Sequence, residues 1–511
     1  MPRSPQQEAV IDWVNNGQGS VIVRARAGTG KTFTLLEAMG EMNGRVAYCV
    51  FNKKNANEAE AKVGARGLNN KVVVGTFHKF GWDAWKMANR KVQILNKQGE
   101  KTNRLIDGIN ADPAHAPIPE EFRSFIVSAV AKAKLRGFGI FDGRINDPRE
   151  WMDVVNHFDL DMELGEGGFI DRAEAVKEAL RHACRVLKAS IQTANEIIDF
   201  DDMIYMPLLS GVRMPVYDWV LVDEAQDSNP VRRAMVKRML KPGGRAIFVG
   251  DDRQAIYGFT GADNDALDVI SREFNTSELP LTVTYRCPKA VVSLAQTLVP
   301  DYEAHPDAPE GEVRIVSHAE MMDDPELGQG DAMICRNTAP LINIAFGLIR
   351  KGVTCHVEGR EIGRGLLKLA TKWKVKSLNA LTDRLEDYRE REAGKAMAAG
   401  QEQKAEQIND KVDTMLALIQ GIGIDKTVAD LVKKIQSMFA DTPEGQRAPG
   451  VVLMTAHRSK GLEFPRVFLY GEGKFMPSRF ARQDWQMLQE ENLRYVAYTR
   501  AEKVLFRVQA L

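Results

Sequence analysis

Short apolar runs recur along this chain, separated by stretches whose apolar residues fall every three or four positions. The runs at 20–24, 45–51, 71–75, 218–222 and 246–250 predict strands in the first half. Those at 279–285, 312–316, 331–335, 352–357, 450–455, 466–470 and 503–508 predict strands in the second. Strand patterns alternating with helical ones predict parallel sheets covered by helices. The economical reading is an α/β chain of two lobes, each interrupted by a mainly helical insertion. The first lobe then takes residues 1–80 and 197–279 around an insertion at 81–196, and the second takes 280–362 and 447–511 around an insertion at 363–446.

Within the first insertion, Val176, Leu180, Ala183, Leu187 and Ile191 share one face at helical spacing. The basic stretch Ala131–Gly137 reads first as a solvated face and second as a phosphate contact. In the second insertion, Leu381, Leu385 and Tyr388 form one stripe and Ile408, Val412, Met415 and Ile419 another. A charged helical hairpin with a break near Gly400 is expected, packing on its host lobe as a mobile surface subdomain.

Length and composition narrow this picture. A chain of 511 residues is too long for one core and suggests about two to four domains. Apolar content of 44% and charged content of 27% are those of a soluble globular protein. No apolar stretch is long enough to span a bilayer, so no membrane partner is expected. With no signal-peptide pattern at Met1–Ser4, a cytoplasmic location is expected. The five cysteines are scattered without metal-ligand spacing, which argues against a structural zinc or a disulfide framework. Lys+Arg and Asp+Glu balance at 69 each, which excludes a globally basic nucleic-acid coat but not a local basic channel.

Candidate chemistry starts at Ala25-Arg26-Ala27-Gly28-Thr29-Gly30-Lys31-Thr32, between the apolar Val21-Ile22-Val23 and a helical pattern. A strand, a small-residue turn and a helix opening on Lys-Thr describe a phosphate-binding loop. Backbone N–H groups of Ala27, Gly28, Thr29 and Gly30 would face the anion, Lys31 would reach the outer phosphates, and Thr32 would offer an oxygen to Mg²⁺. Val220-Leu221-Val222-Asp223-Glu224 describes a buried strand delivering carboxylates to the edge where open α/β sheets bind ligands. Asp223 would hold Mg²⁺, usually through water, and Glu224 would take a proton from the attacking water or orient it. Another apolar strand ends at Gly250-Asp251, and Gln254 beyond it is a neutral amide able to report whether ATP or ADP is bound. Tyr257 and Phe259 follow closely, suited either to base stacking or to core packing.

Taken together these segments resemble a superfamily 1 DNA helicase of the UvrD/Rep/PcrA type. The resemblance implies two RecA-like P-loop lobes, ATP and Mg²⁺ as cofactors, and single-stranded DNA and single/double-strand junctions as partners. It implies 3′→5′ translocation and unwinding in replication, repair or recombination, by a monomer or a weakly self-associating chain. Gln6 matches an adenine-reading glutamine. Phe51-Asn52-Lys53 and Gly75-Thr76-Phe77-His78 resemble two single-strand-contact motifs, implying DNA contact by Phe51, Asn52, Thr76 and His78. Phe200-Asp201-Asp202-Met203 resembles the acidic segment that precedes the Asp-Glu strand. Thr284-Tyr285-Arg286 implies Tyr285 against adenine and Arg286 at the γ-phosphate. Thr455-Ala456-His457-Arg458-Ser459-Lys460-Gly461-Leu462-Glu463-Phe464 implies DNA contact by Thr455 and His457 and ribose contact by Glu463. Tyr495-Val496-Ala497-Tyr498-Thr499-Arg500 makes Arg500 an arginine finger that meets the γ-phosphate on lobe closure. Arg26, Thr260 and Thr284 depart from the family's commoner glycine, arginine and asparagine. A second insertion shorter than in large bacterial helicases leaves open a rival role as a DNA-gated ATPase switch in a larger complex. An RNA helicase is a further alternative, since phosphate grip and stacking do not select the sugar.

Overall fold

The computed structural model describes residues 3–97, 99–114, 116–141, 144–158, 160, 162, 172–256, 265–398, 402–423, 425–439, 450–479, 481–482 and 484–510. By their internal contacts the residues fall into two compact units, 1–25 with 31–281, and 26–30 with 282–511.

The first unit carries strands β1 (Val21–Ala25), β2 (Val46–Val50), β3 (Val72–Thr76), β4 (Gln93–Ile94), β5 (Ile197–Ile198), β6 (Tyr217–Val222), β7 (Leu240–Gly250) and β8 (Ser277–Leu281). Six of them form a parallel sheet in the order β3-β2-β6-β7-β1-β8. Apolar faces of flanking helices cover both sides, as parallel sheets require. On one face Val10, Ile11 and Val14 from helix Pro5–Asn16 join Leu35, Leu36 and Met39 from helix Lys31–Glu41. On the other, Phe77, Phe80 and Ala84 join Met235, Val236 and Met239. Helix Pro5–Asn16 starts where its sequence dictates, with Ser4 and Gln7 in a reciprocal capping box and Pro5 in the first turn.

One strand changes lobes relative to the sequence reading. The apolar run 279–285 was expected to open the second lobe. Instead Ser277–Leu281 pairs with β1 and closes the first sheet, while Val283–Thr284 is a separate short strand. Periodicity marks a strand but not the sheet that takes it. Two expected boundaries also fall inside helices. The cut at 80/81 divides helix Phe77–Ala88, and that at 362/363 divides helix Arg360–Thr371. Gly81 belongs mid-helix for a packing reason: a Cβ there would lie 2.0 Å from the Met203 carbonyl of the crossing helix Asp202–Leu209.

The first insertion is a helical bundle around Phe122, Phe125, Ile126, Trp151, Leu180 and Leu187. Its two ends are pinned together by the parallel β4–β5 ladder. Helix Arg172–Gln192 buries the expected face, with Leu180, Ala183 and Leu187 in the core and Val176 and Ile191 packed against it. The basic stretch 131–137 is not the plain solvated face expected of it. Lys134 is 1% exposed, with its ammonium 2.7 Å from Asp199 and 2.8 Å from Asp202, while Lys132 lies 4.7 Å over the Phe158 ring.

The second unit adds β9 (Val283–Thr284), β10 (Glu303–Ala304), β11 (Glu312–Ser317), β12 (Asp331–Cys335), β13 (Cys355–Val357), β14 (Val451–Thr455), β15 (Phe464–Tyr470) and β16 (Ala501–Gln509). A parallel six-stranded sheet runs β11-β16-β15-β12-β14-β13, and β9 pairs with β10 alone. Helices Leu378–Ala398 and Glu402–Ile422 are the two arms of the expected hairpin, with Gly400 outside the described residues. The hairpin is less of a surface subdomain than expected. Leu381, Leu385, Val412, Met415 and Leu418 share one continuous core with Leu341, Ile342 and Leu348 of the lobe.

Candidate active site

The first sheet brings its motifs to one edge. The carboxyl ends of β1, β7 and β6, neighbours in the sheet, lead into the 26–30 loop, Asp251 and Asp223-Glu224, while β2 and β3 lead into Phe51-Asn52 and Thr76. Open α/β sheets bind ligands at this edge, because loops from adjacent parallel strands diverge there.

Side chains link these ends in a line. Lys31, the first residue of its helix, places Nζ 3.4 Å from Glu224 Oε1. Gln226 Nε2 donates to the other Glu224 oxygen at 2.5 Å, and Gln226 Oε1 accepts the Asp251 N–H at 3.1 Å. Gln254 Nε2 donates to Asp251 Oδ2 at 2.7 Å. Gln226 and Asp251 were not singled out as site residues in the sequence. Gln226 lies only two positions beyond Glu224, but its bond to the neighbouring strand's end is a tertiary fact. Glu224 sits in the left-handed region at φ 52° and ψ 46°, uncommon for a residue other than glycine and a conformation that clusters at functional sites.

Asp223 accepts the Tyr48 hydroxyl at 2.9 Å and the Glu224 N–H at 3.0 Å. Burial, and next the Glu224 carboxylate, raise its pKa above the ordinary carboxylate range against the pull of Lys31. No cluster of three or more His, Cys, Asp or Glu suited to a metal occurs among the described residues. Mg²⁺ needs none, since it takes one or two carboxylates and completes its shell with water and phosphate oxygens. Asp223 keeps acceptor capacity beyond its two hydrogen bonds, and Thr32 opens the same helix as Lys31, so the donor set suits Mg²⁺.

The expected DNA-contact residues of this unit are structurally occupied. The Asn52 side chain caps helix Lys53–Ala65, and the Thr76 side chain caps helix Phe77–Ala88. His78 stacks on Phe200 with ring centroids 3.8 Å apart, and Phe200 is 58% exposed. Arg232 places its guanidinium 4.9 Å over Phe51. Burial, with Arg232 beside it, pulls the His78 imidazole down to about 3. Phe200 and Arg232 thus extend the aromatic, cationic surface around Phe51 and His78; the sequence placed Phe200 in its acidic motif only. Tyr257 and Phe259 lie outside the described residues.

In the second unit, Tyr285 stands 5.0 Å from His305, ring to ring. Arg286 and Glu463, to which the resemblance assigned separate contacts with phosphate and ribose, pair with each other at 2.6 Å. Arg500 is 1% exposed and donates to the carbonyls of Val496 and Leu462 and to the Thr499 hydroxyl. Burial and then the nearby Arg286 pull its guanidinium down to about 10. Three of its five N–H groups are used, so donors remain for an anion. Thr455 ends β14, and His457 two residues on is pulled down to about 3 by burial and Arg336. Gln6 lies in the first turn of helix Pro5–Asn16, where its neighbour Gln7 makes the capping box.

The model of the UvrD/REP helicase N-terminal domain matches residues 4–275 of this chain. The chain is 22% identical to ATP-dependent DNA helicase Rep of Escherichia coli, over 99% of this chain and 90% of that protein. It is 22% identical to ATP-dependent DNA helicase PcrA of Bacillus subtilis, over 99% of this chain and 82% of that protein. Similarity to ATP-dependent DNA helicase srs2 of Schizosaccharomyces pombe is 25% over 56% of this chain and 33% of that protein.

Proposed function

The chain belongs to the UvrD/REP helicase family, and on that premise we propose that it hydrolyses ATP to translocate 3′→5′ along single-stranded DNA and to unwind duplex at single/double-strand junctions. The observation that carries this reading is the unbroken line Lys31–Glu224–Gln226–Asp251–Gln254 across the ends of three neighbouring strands.

Gly28, Thr29 and Gly30, through their N–H groups, and Lys31 bind and neutralise the ATP phosphates, whereas the Ala27 N–H, also expected to face the anion, donates to the Tyr495 hydroxyl instead. Glu224 accepts the proton of the attacking water, held in its rotamer by the Gln226 amide. Thr32 and Asp223 would hold Mg²⁺, whose chemistry is to neutralise charge on the β- and γ-phosphates. Gln6 and Tyr285 read adenine, and Glu463 releases Arg286 to take the ribose while Arg286 and Arg500 meet the γ-phosphate. Burial and then Arg286 depress the Arg500 guanidinium, and an anion bound beside it would offset both. Gln254 senses the γ-phosphate and passes the state to Tyr257 and Phe259, which stack bases; Phe51, Asn52, Thr76, His78, Thr455 and His457 line the strand's path. Phosphate contacts and stacking make the grip tolerant of sequence.

Lys31→Ala tests the reading. ATP turnover stimulated by single-stranded DNA is expected to be abolished while strand binding survives. Near-normal hydrolysis by this variant would remove the site assignment. A strand-displacement assay on the purified wild-type chain tests unwinding itself.

A further inference from the structure

Arg26 occupies a loop position at which the family it resembles more often carries glycine, and its guanidinium is directed to a carboxylate. Nε lies 3.1 Å from both oxygens of Asp301, and Nη2 lies 2.8 Å from Oδ2. The Arg26 side chain is 10% exposed and that of Asp301 51%. A fork of this kind is charge-assisted and geometrically specific.

The next two residues are held as firmly. The Ala27 N–H donates to the Tyr495 hydroxyl at 2.9 Å, and the Tyr302 hydroxyl donates to the Ala27 carbonyl at 2.9 Å. Both tyrosines are fully buried, their rings edge to face at 5.5 Å. The Gly28 carbonyl accepts the Tyr285 N–H at 2.9 Å. Gly28 adopts φ +71°, and a Cβ there would meet Thr284 Oγ1 at 2.5 Å and Arg286 Cβ at 2.6 Å. The Thr29 hydroxyl then closes the loop onto the Arg26 carbonyl at 2.9 Å. All these partners belong to the second unit, with which residues 26–30 are grouped.

Three successive loop residues are therefore fixed from 285, 301–302 and 495. Asp301 and Tyr302 are adjacent, so one short segment holds both Arg26 and Ala27. A phosphate loop held in shape before its ligand arrives loses less conformational entropy on binding. We infer that Arg26, Asp301 and Tyr302 are positioning residues for the phosphate loop: the Arg26–Asp301 ion pair and the Tyr302–Ala27 hydrogen bond keep its backbone in the nucleotide-ready form. This rests on the reading that residues 25–32 bind ATP phosphates.

The test measures DNA-stimulated ATP hydrolysis by the full chain, as KM and kcat separately, beside melting temperature. Arg26→Gly and Asp301→Ala are each expected to raise KM about tenfold, the effect of one lost charge-assisted link, with kcat at saturating ATP within about twofold. The double variant is expected to match either single one rather than multiply them, since all three lack the same link. Asp301→Glu restores KM toward wild type. Tyr302→Phe removes one hydroxyl without emptying a buried site and is expected to raise KM about threefold with its melting transition intact. An unchanged KM in Arg26→Gly and Tyr302→Phe overturns the inference. So does a raised KM in Arg26→Gly alone, with Asp301→Ala unaffected, which would make Arg26 a direct nucleotide contact. Lys31→Ala in the same assay separates the two levels: if it hydrolyses ATP normally the loop is not the ATP site, whereas its inactivity beside wild-type kinetics in the tether variants removes the tether alone.

Discussion

Glu224 holds a backbone conformation that a glutamate rarely adopts, and its two carboxylate oxygens face different partners, Lys31 and Gln226. Replacing it by glutamine keeps size and hydrogen bonding but removes the basic oxygen. Glu224→Gln is expected to bind ATP normally and to lose turnover by about 10²-fold or more, read by nucleotide titration beside steady-state hydrolysis. Lost ATP binding would instead make Glu224 structural. His78 and His457 give a second expectation at this scale. Both are pulled down to about 3, by burial first and a nearby arginine second. Neither charges between pH 6 and 8, so neither meets phosphate as a cation, and the pH profile of strand binding over that range is expected to be the same in His78→Gln and His457→Gln as in wild type. The sign for stability follows from linkage. The unfolded chain takes up these protons first, near pH 6.5, so the folded state weakens as pH falls from about 6.5 toward 3. The urea midpoint is expected to drop between pH 7 and 5, and the double glutamine variant to recover about 2 kcal/mol per histidine of that loss.

At the scale of elements, the first insertion is fastened by buried charge. Lys101 and Lys134 are 2% and 1% exposed, and Asp202 is 0% exposed between them. Burial pushes the Asp202 carboxyl up, but Lys134 and Lys101 together pull it below its ordinary range. These residues tie helices Glu100–Ala111 and Arg123–Leu135 to the segment that leads toward β6 and its catalytic candidates. Lys134→Ala leaves two carboxylates without their shared cation and is expected to lose about 3–5 kcal/mol in urea unfolding. Lys132→Ala, which loses a cation–π contact with Phe158 and a longer-range attraction to Asp201 but no ion pair, is expected to lose less than about 1 kcal/mol. Equal losses would mean that the buried pair contributes nothing special. The sequence could not separate the two lysines, because both lie in the same basic run and only the fold decides which one turns inward.

For the whole molecule, the arginine near the chain's end tests whether hydrolysis needs both units. Arg500→Lys keeps the charge but not the planar fork, and it also forfeits bonds to two carbonyls. Nucleotide affinity is expected to stay near wild type while turnover falls by about 10³-fold, with a modest drop in melting temperature. Turnover near wild type would exclude Arg500 from the reaction.

The strands of the two six-stranded sheets, the helical insertions and the order of the chemical motifs were legible in the amino-acid sequence, whereas the two-residue strands at 93–94, 197–198 and 303–304 were not. Each legible feature depends on residues close together in the chain: an apolar run, a 3.6-residue stripe, a glycine turn before Lys31. The local pattern at 218–224 was enough to expect carboxylates at a strand's end. Which sheet took Ser277–Leu281, which lysine of 131–137 was buried, and that Gln226 joined Glu224 to Asp251 were decided only by tertiary structure. So were the Arg286–Glu463 pair and the hold on Arg26 and Ala27 from residues 301, 302 and 495. Those contacts join positions tens to hundreds of residues apart, and no local periodicity encodes a partner at that distance; packing, and the need of each buried polar group for one specific counterpart, selects it.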